Sequence, residues 1–495
     1  MYINNKLVIA KNNDFICLNP NMLNRHGIIT GATGTGKTIS LKVIAESLSS
    51  LGVPTIITDI KSDLSGCAKI GENNSNLDGR IKKLGLNNFE FKKFPVRFWD
   101  VFGEFGHPIR VTVSDMGPTL ISKILDLSEA GKGILNIAFA VADKEGLELI
   151  DLKDLKSILK YVSKNSKELK LEYGNISEVS ISTILRKLLE FKDGDLFFGE
   201  PNLNILDFMH VSEESGNGYI NLIESSKLVK NPTLYATFLV WLLSSFYEQL
   251  PEVGDLDKPK CVLFLDEAHL IFSEMNDNII KKLTQIIKLI RSKGIGVFFI
   301  SQSPSDIPDE ILNQLGNRIC HSLRAYTPKE LNSVKVAAKT FRKDSSFDLE
   351  SAILSLGIGE AIVSFINEAG EPSICEKAFI LPPQSYISNI DIKEIKKIVS
   401  NGVMEIKYRN IIDSDSAYEK IERINKQNEE KEKNELIKLE NEKKKLKEEK
   451  EKEKALNKAN KEITRNLRKV TNSAMSSIGR QIGNAIMRGI LGTKK

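Results

Sequence analysis

Eight consecutive residues, Gly31-Ala32-Thr33-Gly34-Thr35-Gly36-Lys37-Thr38, satisfy every position of the phosphate-loop pattern G-x-x-x-x-G-K-[ST]. Glycines let the backbone close around a phosphate with its amides pointing inward. A lysine ammonium then reaches the β- and γ-oxygens, and a threonine hydroxyl ligates Mg²⁺. The ligand these donors suit is a nucleoside triphosphate, ATP, with Mg²⁺ on Thr38. A second cluster, Cys261-Val262-Leu263-Phe264-Leu265-Asp266-Glu267, delivers two carboxylates from the end of an apolar run. Asp266 is suited to hold Mg²⁺ directly or through water, and Glu267 to orient or deprotonate an attacking water. Together the two motifs point to hydrolysis rather than binding alone. His269 completes an Asp-Glu-Ala-His box and reads equally as a functional group or as a residue that caps or packs the next helix. Gln302, after the apolar run 297–301, suits a hydrogen bond to the attacking water or γ-phosphate, or to a neighbouring loop. Arg318 and Arg324 follow; a guanidinium neutralises γ-phosphate charge in the transition state, often from a neighbouring subunit, although surface arginine is the plain alternative.

These residues need a scaffold. Gly27–Thr30 reads as a short strand, and residues 39–50 carry apolar positions at helical spacing, so a bound phosphate sits on a helix N-terminus. Residues 53–59 form a buried strand ending in Asp59, which completes a βαβ unit. Further strands are expected at 95–99, 110–113, 219–223, 262–265 and 297–301, while 120–189 reads mostly as helices, with Leu152, Leu155, Ile158 and Leu159 on one face. The fold class is therefore α/β: a P-loop core with a parallel sheet, a helical insertion and a long charged C-terminal helix. The expected boundaries are a short β segment at 1–25, the nucleotide-binding domain at 26–390 with its insertion at about 117–215, and a linker at 391–412. A charged helical tail at 413–470 and an amphipathic segment at 471–495 follow.

With 41% apolar residues, a chain of 495 residues can build a large core. Cysteines 17, 67, 261, 320 and 375 show no paired or metal-like spacing, which fits a reducing compartment and argues against a zinc site or disulfide framework. The first residues lack an apolar core of signal-peptide length, and the most apolar helix, 234–247, is too short to span a bilayer; a cytoplasmic protein is expected. The formal net charge of +5 is misleading, because residues 419–469 hold 18 Lys/Arg against 13 Glu and four further basic residues follow. Residues 1–418 are net −4, so a nucleic-acid contact on the globular part has to be local, such as a pore lining or loop. In the tail, alternating Glu and Lys favour a single solvated helix; Leu436, Leu439 and Leu446 do not continue into a sustained coiled-coil heptad. Ile478, Ile482, Ile486 and Ile490 then recur every four residues, a face suited to docking on the protein itself, on a partner or on a membrane surface.

The run from Asn24 through Thr38, followed by Asp59-Ile60-Lys61-Ser62-Asp63-Leu64-Ser65-Gly66, resembles the bacterial HerA-like helicase family of the YjgR type, within the HerA/FtsK superfamily. The likeness extends over about residues 5–390, including Asp266-Glu267-Ala268-His269 and Gln314-Leu315-Gly316-Asn317-Arg318, and returns at 479–483 and 488–492. It implies a RecA-like core that assembles as a homo-oligomeric ring, a hexamer, hydrolyses ATP at subunit interfaces and moves duplex DNA through its pore. It assigns Lys37 and Thr38 to phosphate and Mg²⁺, Asp266 to Mg²⁺, Glu267 to water, Gln302 to sensing and Arg318 to a finger acting in trans. Asp59, Lys61 and Asp63 are placed near the nucleotide or interface, with a capped turn as the alternative. Full HerA proteins carry a barrel ahead of the loop, where this chain has about 25 residues. Two functions are carried forward: an ATP-driven DNA helicase or translocase, and a nucleotide-dependent assembly switch whose tail recruits a protein partner. A coupling ATPase of DNA transfer would share the core but needs a membrane anchor.

Overall fold

The computed structural model describes residues 1–3, 6–190, 194–254, 256–275, 277–344 and 347–490. Thirteen strands join into one sheet: β1 (Tyr2–Ile3), β2 (Lys6–Lys11), β3 (Phe15–Leu18), β4 (Gly27–Thr30), β5 (Thr55–Asp59), β6 (Val96–Asp100), β7 (His107–Pro108), β8 (Ile220–Glu224), β9 (Cys261–Leu265), β10 (Ile295–Ser301), β11 (Asn317–Cys320), β12 (Glu360–Ser364) and β13 (Glu376–Ile380). The order is β1-β2-β13-β12-β11-β4-β10-β9-β5-β8-β6-β7, with β3 on β2. From β11 to β7 every pairing is parallel. From β11 to β1 the sheet is antiparallel.

The central strands β4, β5, β9 and β10 are buried along their whole length. That is why they read as unbroken apolar runs: a parallel sheet is covered on both faces by its crossover helices. All their C-terminal ends lie on one edge, so the loops after β4, β5, β9 and β10 converge there. The phosphate-loop helix, Lys37–Ser50, and the apolar helix Pro232–Gln249 are both largely buried. Among the described residues no helix is long and apolar enough to cross a membrane.

Two expectations need correction. Residues 110–113 are not a strand beyond a single bridge, Val111 to Phe198. Thr112 instead caps a helix, Val113–Ile124, by accepting a hydrogen bond from Asp115 N at 3.0 Å. The short N-terminal segment holds β strands, and its β2 pairs with β13 at the antiparallel margin of the sheet. Residues 391–412 are not a linker either: they form helices Ile392–Ser400 and Val403–Tyr408. Tyr408 is fully buried, its hydroxyl bonds Asp207, and its ring lies 5.7 Å from that of Trp99. The insertion is helical as expected, with five helices between Val113 and Glu190, and Leu152, Leu155, Ile158 and Leu159 are buried in it. One compact unit spans Met1–Lys420 and a second spans Ile421–Lys495. The charged tail lies in one continuous helix, Ala417–Ile490. Residues 491–495 of the expected amphipathic segment lie outside the described residues, as do the side chains of Ile486, Arg488 and Ile490.

Candidate functional site

The loop from Gly31 to Gly36 leaves β4 and turns directly into helix Lys37–Ser50, with Gly36 at its N-cap. Glycine is required at two points. At Gly31 a Cβ would stand 2.6 Å from His321 Cβ and 2.7 Å from Thr35 Oγ1. Gly36 has φ 121°, which side chains rarely tolerate, and its Cβ would meet His321 Cε1 at 3.2 Å. The residues that follow β11 and precede β12 brace the loop from behind: Ala32 N donates to Ser322 O at 2.8 Å and Gly359 N to Thr35 O at 3.0 Å. His321 is the buried pillar of this contact. Ser40 Oγ lies 2.8 Å from its Nε2, and its Nδ1 lies 2.9 Å from Glu360 O. With a carbonyl on one side, Nδ1 carries the proton and Nε2 accepts from Ser40. Burial lowers its pKa to about 4.

Lys37 Nζ donates to Gly31 O at 2.7 Å and Ala32 O at 3.2 Å, so the ammonium is folded over the mouth of its own loop. Thr38 Oγ1 lies 3.4 Å from Asp63 Oδ2, while Asp63 Oδ1 is buried without a hydrogen-bond donor. Asp59 plays another part. Its carboxylate accepts from Asp63 N at 3.2 Å and Leu64 N at 3.1 Å, which is the capped turn. Burial, with the charge of Asp63 adding to it, raises the Asp59 pKa to about 7.

At the end of β9, Asp266 accepts from Glu267 N at 2.9 Å, and its own N–H is bonded to Thr58 Oγ1 at 3.1 Å. Burial first, and the neighbouring Glu267 charge second, raise the Asp266 pKa to about 7. Glu267 occupies the left-handed region at φ 46°, a strained conformation of the kind that clusters at functional sites. Its Oε1 is ion-paired with Lys61, and its Oε2 lies 3.3 Å from His269 Nδ1, misaligned for a hydrogen bond. Burial works against ionisation of Glu267, but the hydrogen bond and charge of Lys61, with His269 and Lys37 adding, hold it below the ordinary glutamate value. His269 thus faces the acidic pair rather than packing away from it.

The donor set fits a magnesium ion and a triphosphate. Thr38 at the helix start lies against the half-buried Asp63, whose charge is felt by the buried Asp266 at the end of β9, and burial disfavours the charge on both acids, a penalty that a hard divalent cation relieves. Gln302 and Arg324 line a cleft of about 380 Å³ with Ala32, Thr33 and Asp306. Asp306 holds the end of β10, accepting from Ser301 Oγ at 2.6 Å and Ser303 N at 2.9 Å.

Arg318 is not brought to the loop of its own chain. It sits in mid-strand opposite Ile28, donates to Leu312 O at 3.1 Å, and its Nη1 is fully enclosed without a partner. Burial lowers its pKa to about 10. Sequence reasoning missed His321, Ser40 and Asp306. His321 follows directly on β11, and only the pairing of β11 beside β4 gives it meaning.

A family model described as helicase HerA-like C-terminal matches residues 4–495. The DNA double-strand break repair helicase HerA of Saccharolobus solfataricus is 24% identical over 370 residues, covering 72% of this chain and 64% of that protein. Its counterpart in Sulfolobus acidocaldarius is 24% identical over 361 residues, covering 70% and 63%. The chain therefore spans just under two thirds of the length of these relatives. Among solved structures, the bacterial conjugative coupling protein TrwBdeltaN70 superposes with a TM-score of 0.51 at 12% identity, over 76% of this chain and 89% of that one, a likeness of fold.

Proposed function

We propose that this chain, which belongs to the HerA-like C-terminal helicase family, is an ATP-hydrolysing motor that acts on DNA. The observation that carries the reading is the convergence, on one sheet edge, of the phosphate loop with the Asp266-Glu267 pair, the second acid already held by Lys61. Lys37 and the loop amides bind the triphosphate. Thr38 and Asp266 hold Mg²⁺, with Asp63 beside them; bound there, the ion neutralises phosphate charge. Glu267 takes the proton of the attacking water, and Gln302 orients that water or senses the γ-phosphate. Of the two arginines, Arg324 is the exposed one at the loop's rim, so we assign the phosphate-contacting role to it ahead of Arg318. The relatives named as DNA repair helicases support DNA as the substrate, and a homo-oligomeric ring that completes each site from a neighbour is part of the same reading. Steady-state ATP turnover with and without duplex DNA tests it.

One observation favours a second reading, a nucleotide-dependent switch that recruits a protein through the tail: residues 1–418 carry a net charge of −4. Turnover indifferent to nucleic acid would select that reading.

A further inference from the structure

We propose that the basic face of the C-terminal helix between residues 455 and 482 contacts the phosphate backbone of duplex DNA. This inference rests on the reading of the chain as a DNA-acting motor and gives that motor a contact site outside its ATPase unit. The helix changes character abruptly. From residue 427 to 454 it holds ten lysines and ten glutamates, whereas from 455 to 482 it holds six basic residues, Lys458, Lys461, Arg465, Arg468, Lys469 and Arg480, against the single acid Glu462.

The charges are also segregated around the helix. At roughly 100° per residue, Leu456, Ile463, Leu467 and Val470 fall within about 40° of one axis, while Lys458, Lys461, Arg465, Arg468 and Lys469 fall within about 60° of the opposite one, a side that Glu462 shares; further on, Met475 and Ile482 widen the apolar side to about 100° from that axis. Both faces are exposed in this chain. Lys461, Arg465 and Arg468 lie on neighbouring turns of the helix surface with Asn457, Asn460 and Thr464. Asn457 and Asn460 supply amide donors beside the cations, while Thr464 Oγ1 donates back to Asn460 O at 2.7 Å.

The geometry selects among polyanions. A helix lying in a lipid interface has a broad apolar face with its cations at the flanks, close to the headgroups. Between residues 456 and 470, where five of the six cations lie, the apolar stripe is narrow, as in a helix-pairing seam, and the cations are centred on the opposite side of the helix. Insertion of the stripe would hold the charges off an anionic membrane, whereas a duplex can lie along the opposite face with the stripe still free to pair. Phosphate recognition of this kind is independent of base sequence and strongly dependent on salt.

The test is equilibrium binding of a fluorescent 30-base-pair duplex by the full chain across a salt titration. The wild type is compared with Lys461→Glu/Arg465→Glu/Arg468→Glu and with an equal charge change in the balanced half, Lys443→Glu/Lys444→Glu/Lys445→Glu. Circular dichroism confirms that both variants keep the helix, and basal ATP turnover in the absence of DNA is expected to be unchanged in both. The proposal predicts at least a tenfold weaker affinity for the 461/465/468 variant and a log–log salt slope shallower by about 2 to 3, near 0.9 per lost phosphate contact. The 443/444/445 variant should stay within twofold of the wild type. Equal behaviour of the two variants, or an unchanged slope, overturns the proposal while wild-type binding to duplex leaves the motor reading standing. Loss of binding to vesicles of phosphatidylserine and phosphatidylcholine, with duplex binding intact, also overturns it and makes the face a membrane contact. A wild-type chain that hydrolyses ATP but binds no duplex at all removes the DNA reading itself.

Discussion

In the proposed mechanism two demands conflict at Glu267: a water-activating base has to be ionised and free, yet Lys61 is paired to one oxygen and His269 faces the other. Lys61 follows β5 and precedes Ser62, which is itself left-handed at φ 55°, so strained backbone flanks the ion pair on both sides. Lys61→Met is therefore expected to raise DNA-independent turnover several-fold and to shrink the further stimulation by DNA; equal loss with and without DNA would show that Lys61 serves binding instead. Glu267→Gln should keep ATP binding and lower turnover by about 100-fold or more, read by single-turnover hydrolysis alongside nucleotide titration. Histidine supplies a pH signature. His26 donates from Nε2 to Ile287 O at 2.8 Å and accepts Val297 N–H on Nδ1 at 3.1 Å, and burial lowers its pKa to about 4, as for His321. Both are neutral when folded and take up protons at about 6.5 when unfolded. Their contribution to stability is complete above pH 6.5 and declines as pH falls towards 4, by at most ~1.4 kcal/mol per pH unit for each. Denaturant midpoints at pH 7 and pH 5 measure it, and His321→Asn should remove the His321 share of the difference while leaving that of His26.

The elements legible in the sequence were those whose pattern has one physical cause. Strands β4, β5, β9 and β10 announced themselves because burial on both faces demands unbroken apolar runs. The glycine-rich turn into helix Lys37–Ser50 and the placing of Asp266 and Glu267 at the end of β9 were legible too, each from a motif whose spacing demands one local geometry. Less visible was anything depending on a partner far away in sequence. His321 gains its role only because β11 lies beside β4. Arg318 reads as a free guanidinium until its strand is placed and its Nη1 is seen to be enclosed. Residues 391–412 look like a linker because the helix Val403–Tyr408 is short, leaves Val403 and Ile406 exposed, and is anchored by few side chains, chiefly Met404 and Tyr408. That segment makes its own prediction: Tyr408→Ala should destabilise the protein by about 3 to 5 kcal/mol, seen as a lower denaturant midpoint, whereas a linker would tolerate it. The 110–113 run failed as a strand because a threonine cap competes with a weak β pattern.

At the scale of the whole molecule the chain divides into a unit that carries the phosphate loop, Met1–Lys420, and a second unit, Ile421–Lys495. Their charges differ in kind, a net acidic core and a tail whose far part is basic, so the energy of nucleotide hydrolysis and the attraction for a polyanion need not reside in the same unit. Removing residues 421–495 should leave basal ATP turnover unchanged and reduce its stimulation by DNA; loss of basal turnover would place the tail inside the catalytic assembly. If an arginine completes the site from a neighbouring subunit, mixing Arg324→Ala with Lys37→Ala chains should restore part of the turnover that each lacks alone, and the same mixture built on Arg318→Ala discriminates between the two residues. The most direct test of the central claim is steady-state ATP hydrolysis by the full chain, with and without duplex DNA, at low and physiological salt, with Glu267→Gln as control. A motor of this design hydrolyses ATP, gains several-fold with duplex, loses that gain as salt rises and is silenced by Glu267→Gln. Turnover that ignores duplex at every salt concentration, or that survives in Glu267→Gln, would contradict it.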